Sequence, residues 1–338
     1  MASQQEPVRA NLVPSGVNRR TMRSSPWLEK VFYLALLYFL LLEFLVPELQ
    51  KVWAIKLGLY LATGFMLLHF LTWLLQWLGR VRQHPRAAIS LALSLISPPI
   101  LATGFLQLIA GFVALARYRF HPPTAEAYRQ QVSYTLPFKG VWWVANGGPD
   151  ASTSHSWDLI GQRYAYDFVI TDDGGKSYRH DGRRVEDYHA FGAPVLAPAD
   201  GIVVAVQNRH RDCPWPGIID PLAWSILGNY VVIRHADSEY SLLAHLRRGS
   251  LRVRPGDQVL RGQMLGECGN SGHSTEPHLH FQVQDHPSFF LAASLPVRYN
   301  RWCRVQGEYC QQMEEGFPVR GEHVANFESA PNHLHFAR

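Results

Sequence analysis

Three long apolar runs dominate the first third of the chain and constrain its fold more than any other feature. They cover Val31 to Leu49, Val52 to Leu78 and Ala87 to Ala116, and the third contains no charged residue. At about 1.5 Å of rise per residue, each run is long enough as a helix to cross a hydrocarbon core of roughly 30 Å. The sequence therefore predicts three transmembrane helices within residues 30–118, after a cytoplasmic segment 1–29.

The third run is interrupted by Pro98 and Pro99. Proline removes a backbone donor and kinks or breaks a helix. One kinked span and a re-entrant hairpin are both compatible with this pattern, and we favour one kinked span.

Basic residues near the ends of the runs predict the orientation in the membrane. Five precede the first run, and the loop before the third run carries Arg80, Arg82 and Arg86. The loop between the first two runs has only Lys51, and cytoplasmic loops are the ones enriched in Lys and Arg. We therefore expect a multi-pass protein of the cell (inner) membrane, with everything after Arg117 on the periplasmic or extracytoplasmic side.

All four cysteines lie in the polar part of the chain, at Cys213, Cys268, Cys303 and Cys310. An even number of cysteines in an oxidising compartment indicates disulfides. Cys303 and Cys310 are close enough in sequence to close a small loop, which leaves Cys213 with Cys268 as the remaining pair. Four free thiols are the alternative.

From Tyr134 onward, short apolar stretches alternate with turns rich in Gly, Pro and Asn. This pattern is typical of an all-β domain, a sandwich or barrel-like sheet, and not of alternating strands and helices. We assign the domain to residues 119–285 and treat residues 286–338 as a less regular C-terminal extension. The chain has a net charge of +5 but no basic run with interleaved aromatics, so we expect no nucleic-acid partner.

Histidines in this β part point to metal chemistry. His278 and His280 are two residues apart, so on a strand they share a face, and Asp167 also lies in a strand-like run. Imidazole and carboxylate ligands suit Zn²⁺ with water in an open position, and zinc lowers the pKa of that water to about 7. A His-x-His pair alone is a weak signal: a second His-Leu-His-Phe at 333–336 lacks the preceding Gly-Asn-Ser-Gly turn, and we regard it as incidental.

The order of five motifs is far more specific than the pair. Together they resemble the lysostaphin-type or LytM-type zinc endopeptidases, family twenty-three of the metallopeptidases, over about residues 140–285. The resemblance implies an antiparallel β-sheet groove that cuts peptide bridges in bacterial peptidoglycan. The motifs are Gln162–Phe168, Gly192–Gly201, Gly228–His235, Leu243–Leu246 and Gly266–Phe281, the last containing Gly-Asn-Ser-Gly and His-Leu-His-Phe.

The resemblance implies a role for four residues. Asp167 matches the zinc-binding aspartate, and His280 matches the second histidine of His-Leu-His, also a zinc ligand. His278 matches the first, a catalytic histidine. His245 matches the histidine of Ala-His-Leu, which assists by polarising the water or by holding the oxyanion.

One position departs from the family pattern. The first zinc-binding histidine should stand four residues before Asp167, where this chain has Arg163. Arginine stays protonated and cannot ligate zinc. Either the site is inactive or another histidine supplies the third ligand. We favour His155 in Ser-His-Ser, with His189 as the next candidate.

Two functions follow from this pattern. The first is a membrane-anchored zinc metalloendopeptidase that hydrolyses peptide bonds, in peptidoglycan or another peptide substrate. The alternative is a metal-free relative that binds the wall or activates another cell-wall hydrolase. The retained His245, His278, His280 and Asp167 favour catalysis. We expect the spans to contact lipid, and three spans are also enough to bind a membrane-protein partner. Their few polar residues do not suit a channel or transporter.

Overall fold

The computed structural model describes residues 85–329 and 335–337, all within the unit Arg80–Arg338. The first two apolar runs lie outside the described residues. The third run forms two helices, α1 (Pro85–Ile96) and α2 (Pro98–Arg117). Among the described residues, α2 alone is long and apolar enough to cross a membrane, and α1, at about 18 Å, is too short. The described residues thus do not support the predicted multi-span membrane region.

The helix break is sharper than the single kinked span that we favoured. Ser97 separates the helices with extended backbone (φ −78°, ψ 114°). A residue before proline is disfavoured in the α region, whereas Pro98 suits the first position of a new helix. The Ser97 hydroxyl accepts a hydrogen bond from the Ile100 N–H at 3.4 Å and caps α2. The local sequence therefore ends one helix and begins the next at adjacent residues.

The polar part of the chain folds as the predicted antiparallel β domain. Three short 3-10 turns, at Val185–Asp187, Phe289–Leu291 and Phe327–Ser329, connect its strands. The described strands are β1 (Trp142–Asn146), β2 (Tyr166–Val169), β3 (Pro194–Leu196), β4 (Gly201–Gln207), β5 (Asn229–Ala236), β6 (Glu239–Leu246), β7 (Gln258–Val259), β8 (Met264–Glu267), β9 (Leu279–Gln284), β10 (Ser294–Leu295), β11 (Tyr299–Gln306), β12 (Tyr309–Gly316), β13 (His323–Asn326) and β14 (His335–Ala337).

Twelve strands form one sheet in the order β14-β12-β11-β13-β1-β2-β9-β6-β5-β4-β7, with β10 also paired to β9. Every pair is antiparallel except β12 with β14. The strands β3 and β8 make a separate two-stranded sheet. Of the strands after residue 285, β10 joins the sheet through β9, and β11 to β14 join it through β13, which pairs with β1.

The two faces of β9 divide the structural from the chemical side chains. Leu279, Phe281 and Val283 point into the main apolar core, which Val195 of β3 and Leu265 of β8 join. Burying each large apolar side chain stabilises the fold by about 1.5–3 kcal/mol. Because strand side chains alternate, the even-numbered residues of β9 lie on the opposite face. The core thereby fixes the direction in which the polar face points.

The cysteine prediction is half right. Cys303 and Cys310 form a disulfide between β11 and β12, with their Cα atoms 5.4 Å apart. Cys213 and Cys268 are free and buried, so their predicted pairing is wrong. The Cys213 sulfur lies 3.6 Å from the carbonyl oxygen of Ile218, and each thiol packs as a small apolar group.

Candidate active site

The centre of the candidate site is a carboxylate–imidazole contact between adjacent strands. Asp167 of β2 stands directly opposite His280 of β9 in the antiparallel register. His280 Nδ1 and Asp167 Oδ1 are 2.9 Å apart. The side chains directly opposite each other in such a pair lie close enough to interact, so the sheet register itself brings these two residues together.

Two more of the predicted histidines approach the same carboxylate. His278 Nε2 lies 3.6 Å from Asp167 Oδ1, and His155 Nε2 lies 4.0 Å from Asp167 Oδ2. The backbone N–H of His155 donates to Asn146 Oδ1 at 2.8 Å, and Asn146 is the last residue of β1. This bond anchors the loop at the strand end, which closes the gap of twelve residues between His155 and Asp167.

The other two candidate positions have different partners. Arg163 donates from Nε to the Trp157 carbonyl at 3.0 Å, and its guanidinium lies 5.0 Å from the Trp157 ring centre. His189 contacts Arg179 through Nδ1 at 3.3 Å. Neither residue forms an ion pair with Asp167 in the described part of the chain, whereas His155 lies at the carboxylate.

Backbone carbonyls determine which nitrogen carries the proton in two of the rings. His245 Nδ1 lies 2.8 Å from the Ser271 carbonyl, and His278 Nδ1 lies 2.8 Å from the Glu276 carbonyl. A carbonyl only accepts, so each Nδ1 is protonated and donates, which leaves Nε2 with a lone pair when the ring is neutral. The rings of His245 and His278 are 4.7 Å apart, so both lone pairs belong to one cluster.

A chain of amide side chains determines the tautomer of His280 in the same way. Gln282 Nε2 donates to the Gly161 carbonyl at 2.9 Å and to Gln284 Oε1 at 2.8 Å, and Gln284 Nε2 donates to the His286 carbonyl at 2.7 Å. This arrangement leaves Gln282 Oε1 as the acceptor, 3.2 Å from His280 Nε2. His280 Nε2 therefore carries a proton. The contact of His280 with Asp167 is a hydrogen bond while Nδ1 is protonated as well, and loss of the Nδ1 proton leaves a lone pair on Nδ1 that faces Asp167.

The electrostatics of the cluster keep the carboxylate charged. Burial alone would raise the pKa of Asp167, but the His280 hydrogen bond and the charges of His278, His280 and His155 hold it far below its usual value. Burial, with the neighbouring His278 and His280, lowers the pKa of His245 well below its ordinary value. At neutral pH the site therefore combines an anionic Asp167 with a neutral His245.

The donor set fits zinc. The described residues contain no group of three or more His, Cys, Asp or Glu side chains already arranged around a metal. The ring nitrogens His280 Nδ1, His278 Nε2 and His155 Nε2 nonetheless all lie within 4.0 Å of the Asp167 carboxylate, and the resemblance assigns the ligand role to His280 and Asp167. Two imidazoles and one carboxylate are a typical catalytic zinc set, and Gln282 supplies the outer hydrogen bond that such a histidine ligand needs.

Four residues that support the site were not predicted from the sequence: Asn146, Ser271, Glu276 and Gln282. For Gln282 a signal existed, because it is two residues after His280 on a predicted strand and therefore shares its face. Ser271 and Glu276 act through their main-chain carbonyls, which every residue type has. The sequence therefore carries no signal for these two roles.

A known protein family matches part of the β domain. Residues 179–289 match the sequence model of Peptidase family M23. The matched segment includes His245, His278 and His280, whereas Asp167 and His155 precede it.

Among curated relatives, the chain is 35% identical over 109 residues to the peptidoglycan DD-endopeptidase ShyA of Vibrio cholerae, covering 32% of this chain and 21% of ShyA. It is 34% identical over 109 residues to ShyB of the same organism, with 32% and 22% coverage. The chain thus spans about a fifth of the length of these relatives. The catalytic domain of lysostaphin from Staphylococcus simulans is 21% identical, with 50% and 90% coverage and a TM-score of 0.25.

Proposed function

We propose that the chain is a zinc-dependent endopeptidase that hydrolyses peptide bonds in peptidoglycan cross-links. The observation that carries this proposal is the convergence of His155, His278 and His280 on Asp167. The relatives named peptidoglycan DD-endopeptidases support the substrate class. A membrane anchor through α2, with the β domain on the periplasmic side, is the accompanying localisation.

His155, Asp167 and His280 would hold the zinc ion. When bound, zinc supplies a Lewis acid for the scissile carbonyl and lowers the pKa of a coordinated water. The protein's own contribution is to keep Asp167 ionised and to orient the ligands. Asp167 stays ionised, and Gln282 turns the lone pair of His280 Nδ1 toward Asp167.

His278 is suited to carry the proton during hydrolysis. Its Nδ1–H is held by the Glu276 carbonyl, so its Nε2 accepts a proton from the attacking water and returns it to the leaving amine. His245 has the same arrangement, and its lowered pKa keeps it neutral. A neutral Nε2 accepts a hydrogen bond but donates none, which favours the role of polarising the water over the role of holding an oxyanion.

The proposal is tested by metal content and hydrolysis together. We expect the full chain to bind one zinc per molecule and to release peptides from purified peptidoglycan. His280→Ala and His155→Ala should each lose zinc and activity, whereas the matched variant His189→Ala should retain both. If His189→Ala loses the metal and His155→Ala retains it, the assignment of the third ligand is wrong.

The second candidate function is a metal-free relative that regulates another hydrolase. Arg163, at the position where the family pattern has a zinc-binding histidine, is the observation in its favour. A folded full chain that binds no zinc in excess metal, and whose His280→Ala variant binds peptidoglycan like the unchanged protein, would establish this alternative.

A further inference from the structure

The helix α2 lies along the β domain and contacts it at both ends. At the N-terminal end, Ser97 Oγ donates to the Pro221 carbonyl at 2.5 Å. At the C-terminal end, Arg117 donates to both carboxylate oxygens of Asp285, at 2.7 and 2.9 Å, and the Tyr118 hydroxyl donates to the same carboxylate at 2.6 Å. Twenty residues of helix separate these anchors by roughly 30 Å.

The C-terminal half of α2 also contacts the domain between these anchors. Ala114 is completely buried against Ile160 and Ala293, and Thr103 and Ala110 lie on the same buried stripe. A cavity of about 260 Å³ separates the central turns of the helix from segments 158–163 and 289–292. The buried stripe consists of small side chains, and the C-terminal half of the helix therefore follows the domain surface.

The opposite side of both helices is apolar and exposed. Eleven large apolar side chains of α1 and α2 are 45–73% exposed, among them Ile96, Phe105, Leu108 and Phe112. Together they present on the order of 1,000 Å² of apolar surface. This exceeds the roughly 300–600 Å² of the largest patch on an ordinary monomer.

The loop beside Ser97 extends this surface. Leu222 and Trp224 are 68% and 66% exposed and follow Pro221, the residue that Ser97 contacts. No charged residue occurs between Ala87 and Ala116, while Arg86 and Arg119 stand at the two margins. An uncharged apolar field with basic and aromatic residues at its edges complements the acyl chains and anionic headgroups of a lipid surface.

The two anchors are incompatible with a helix that crosses the membrane. A crossing α2 would place Pro221 and Asp285 on opposite sides of the hydrocarbon core, with Asp158 and Arg163 of the adjoining cavity inside it. We infer instead that α1 and α2 lie flat in one leaflet, at the boundary of headgroups and acyl chains. The β domain is the polar partner of the helices and sits on the membrane surface. This inference does not depend on catalysis.

The experiment measures the depth of single labels in vesicles. The native free thiols are buried, so an introduced surface cysteine takes a fluorescent label selectively. The full chain, labelled at Leu101→Cys, Phe105→Cys or Phe112→Cys, is reconstituted into vesicles of phosphatidylcholine with phosphatidylglycerol. Lipids brominated near the headgroup or deep in the acyl chain then quench the fluorescence. Leu222→Cys reports the adjoining loop, and Glu315→Cys on β12, five strands from β9, is the off-surface control.

The flat arrangement and the crossing arrangement give different results. We expect all three helix labels and the Leu222→Cys label to be quenched more by shallow than by deep bromines, and the Glu315→Cys label by neither. A Phe105→Cys label quenched best by deep bromines, with Leu222→Cys unquenched, would show a crossing helix. Helix labels that no lipid quenches would show that protein, such as a second copy, covers the surface. Either result overturns the inference.

Discussion

The chemistry of single residues in this site is set by their partners more than by their identity. His245 and His278 each present Nε2 because a main-chain carbonyl holds Nδ1. The sequence could predict Asp167 and His280 as a pair, since both lie in strand-like runs within an ordered set of motifs. It could not predict the tautomers, because these depend on carbonyls that any residue type provides.

Gln282 should be a positioning residue for the metal. We expect Gln282→Leu to weaken zinc affinity about 10- to 100-fold, because His280 loses the acceptor that directs its lone pair. Gln282→Glu keeps an acceptor for His280 but loses the amide N–H that donates to the Gly161 carbonyl, so it should restore only part of the affinity. Competition with a chelator measures the effect, and Gln306→Leu, on exposed β11 surface, is the control. Equal affinities for all variants would contradict this role.

His235 should make the fold sensitive to acid. Burial lowers the pKa of this ring, which contacts the Asp200 carbonyl and Ser241 Oγ. The unfolded chain therefore binds a proton on His235 more readily than the folded chain does. Acid thus favours unfolding: the free energy of unfolding is highest above pH about 6.5 and declines as the pH falls below that value.

Urea unfolding at about pH 7.5 and about pH 5.5 measures this dependence. We expect the urea midpoint to be lower at the acidic pH than at the higher pH. The difference should be smaller in His235→Gln, because a glutamine side chain does not titrate. His121→Gln, at an exposed histidine, should behave like the unchanged protein. An identical decline in both variants would show that other groups cause the acid sensitivity.

At the scale of elements, the strands within the motifs were predictable and the C-terminal ones were not. The strand-like run around Asp167 is observed as β2 (Tyr166–Val169), and the motif Gly228–His235 contains most of β5 (Asn229–Ala236). The hairpin of β11 and β12 was missed because its residues are mostly polar and exposed on one side, so no apolar run marks it. Polar strands of this kind are recognisable only through their neighbours in the sheet.

The disulfide should stabilise that hairpin. Chain-entropy arguments give about 2.5 kcal/mol for closing a loop of this length. We expect the double variant Cys303→Ser, Cys310→Ser to unfold at lower urea concentration than the unchanged protein. Reductant should lower the urea midpoint of the unchanged protein and leave that of the double variant as it is. Cys268→Ala should keep its response to reductant. A response of the double variant to reductant would show that another thiol pair is involved.

At the scale of the whole molecule, the sheet does not end where the recognisable motifs end. Tyr299 and Trp302 of β11 and Val324 of β13 belong to the same apolar core as Phe168 and Phe281. The resemblance to known peptidases stops near residue 285, so the sequence suggested an extension there. Whether these strands continue the sheet depends on tertiary contacts, and a local pattern of residues does not predict it.

Truncation should distinguish an extension from an integral part of the domain. We expect the chain ending at residue 285 to be unfolded, because it loses several buried aromatic side chains worth about 1.5–3 kcal/mol each against a total stability of about 5–15 kcal/mol. The chain ending at residue 329 loses only β14, an edge strand, and should stay folded. Circular dichroism and thermal melting measure both. A cooperative melt of the shorter chain would show that residues 286–338 are dispensable.

Each side-chain amide of Gln282 and Gln284 has an oxygen end and a nitrogen end. Exchanging the two ends in one amide alone would bring two acceptors or two donors together, so both amides must exchange together. The row therefore has two self-consistent states, and only one of them leaves the His280 Nδ1 lone pair toward Asp167. The carbonyls of Gly161 and His286 accept from the amides and exclude the other state. The orientation of the His280 ligand atom therefore depends in part on the main-chain carbonyl oxygens of Gly161 and His286, which form no hydrogen bond with His280 itself.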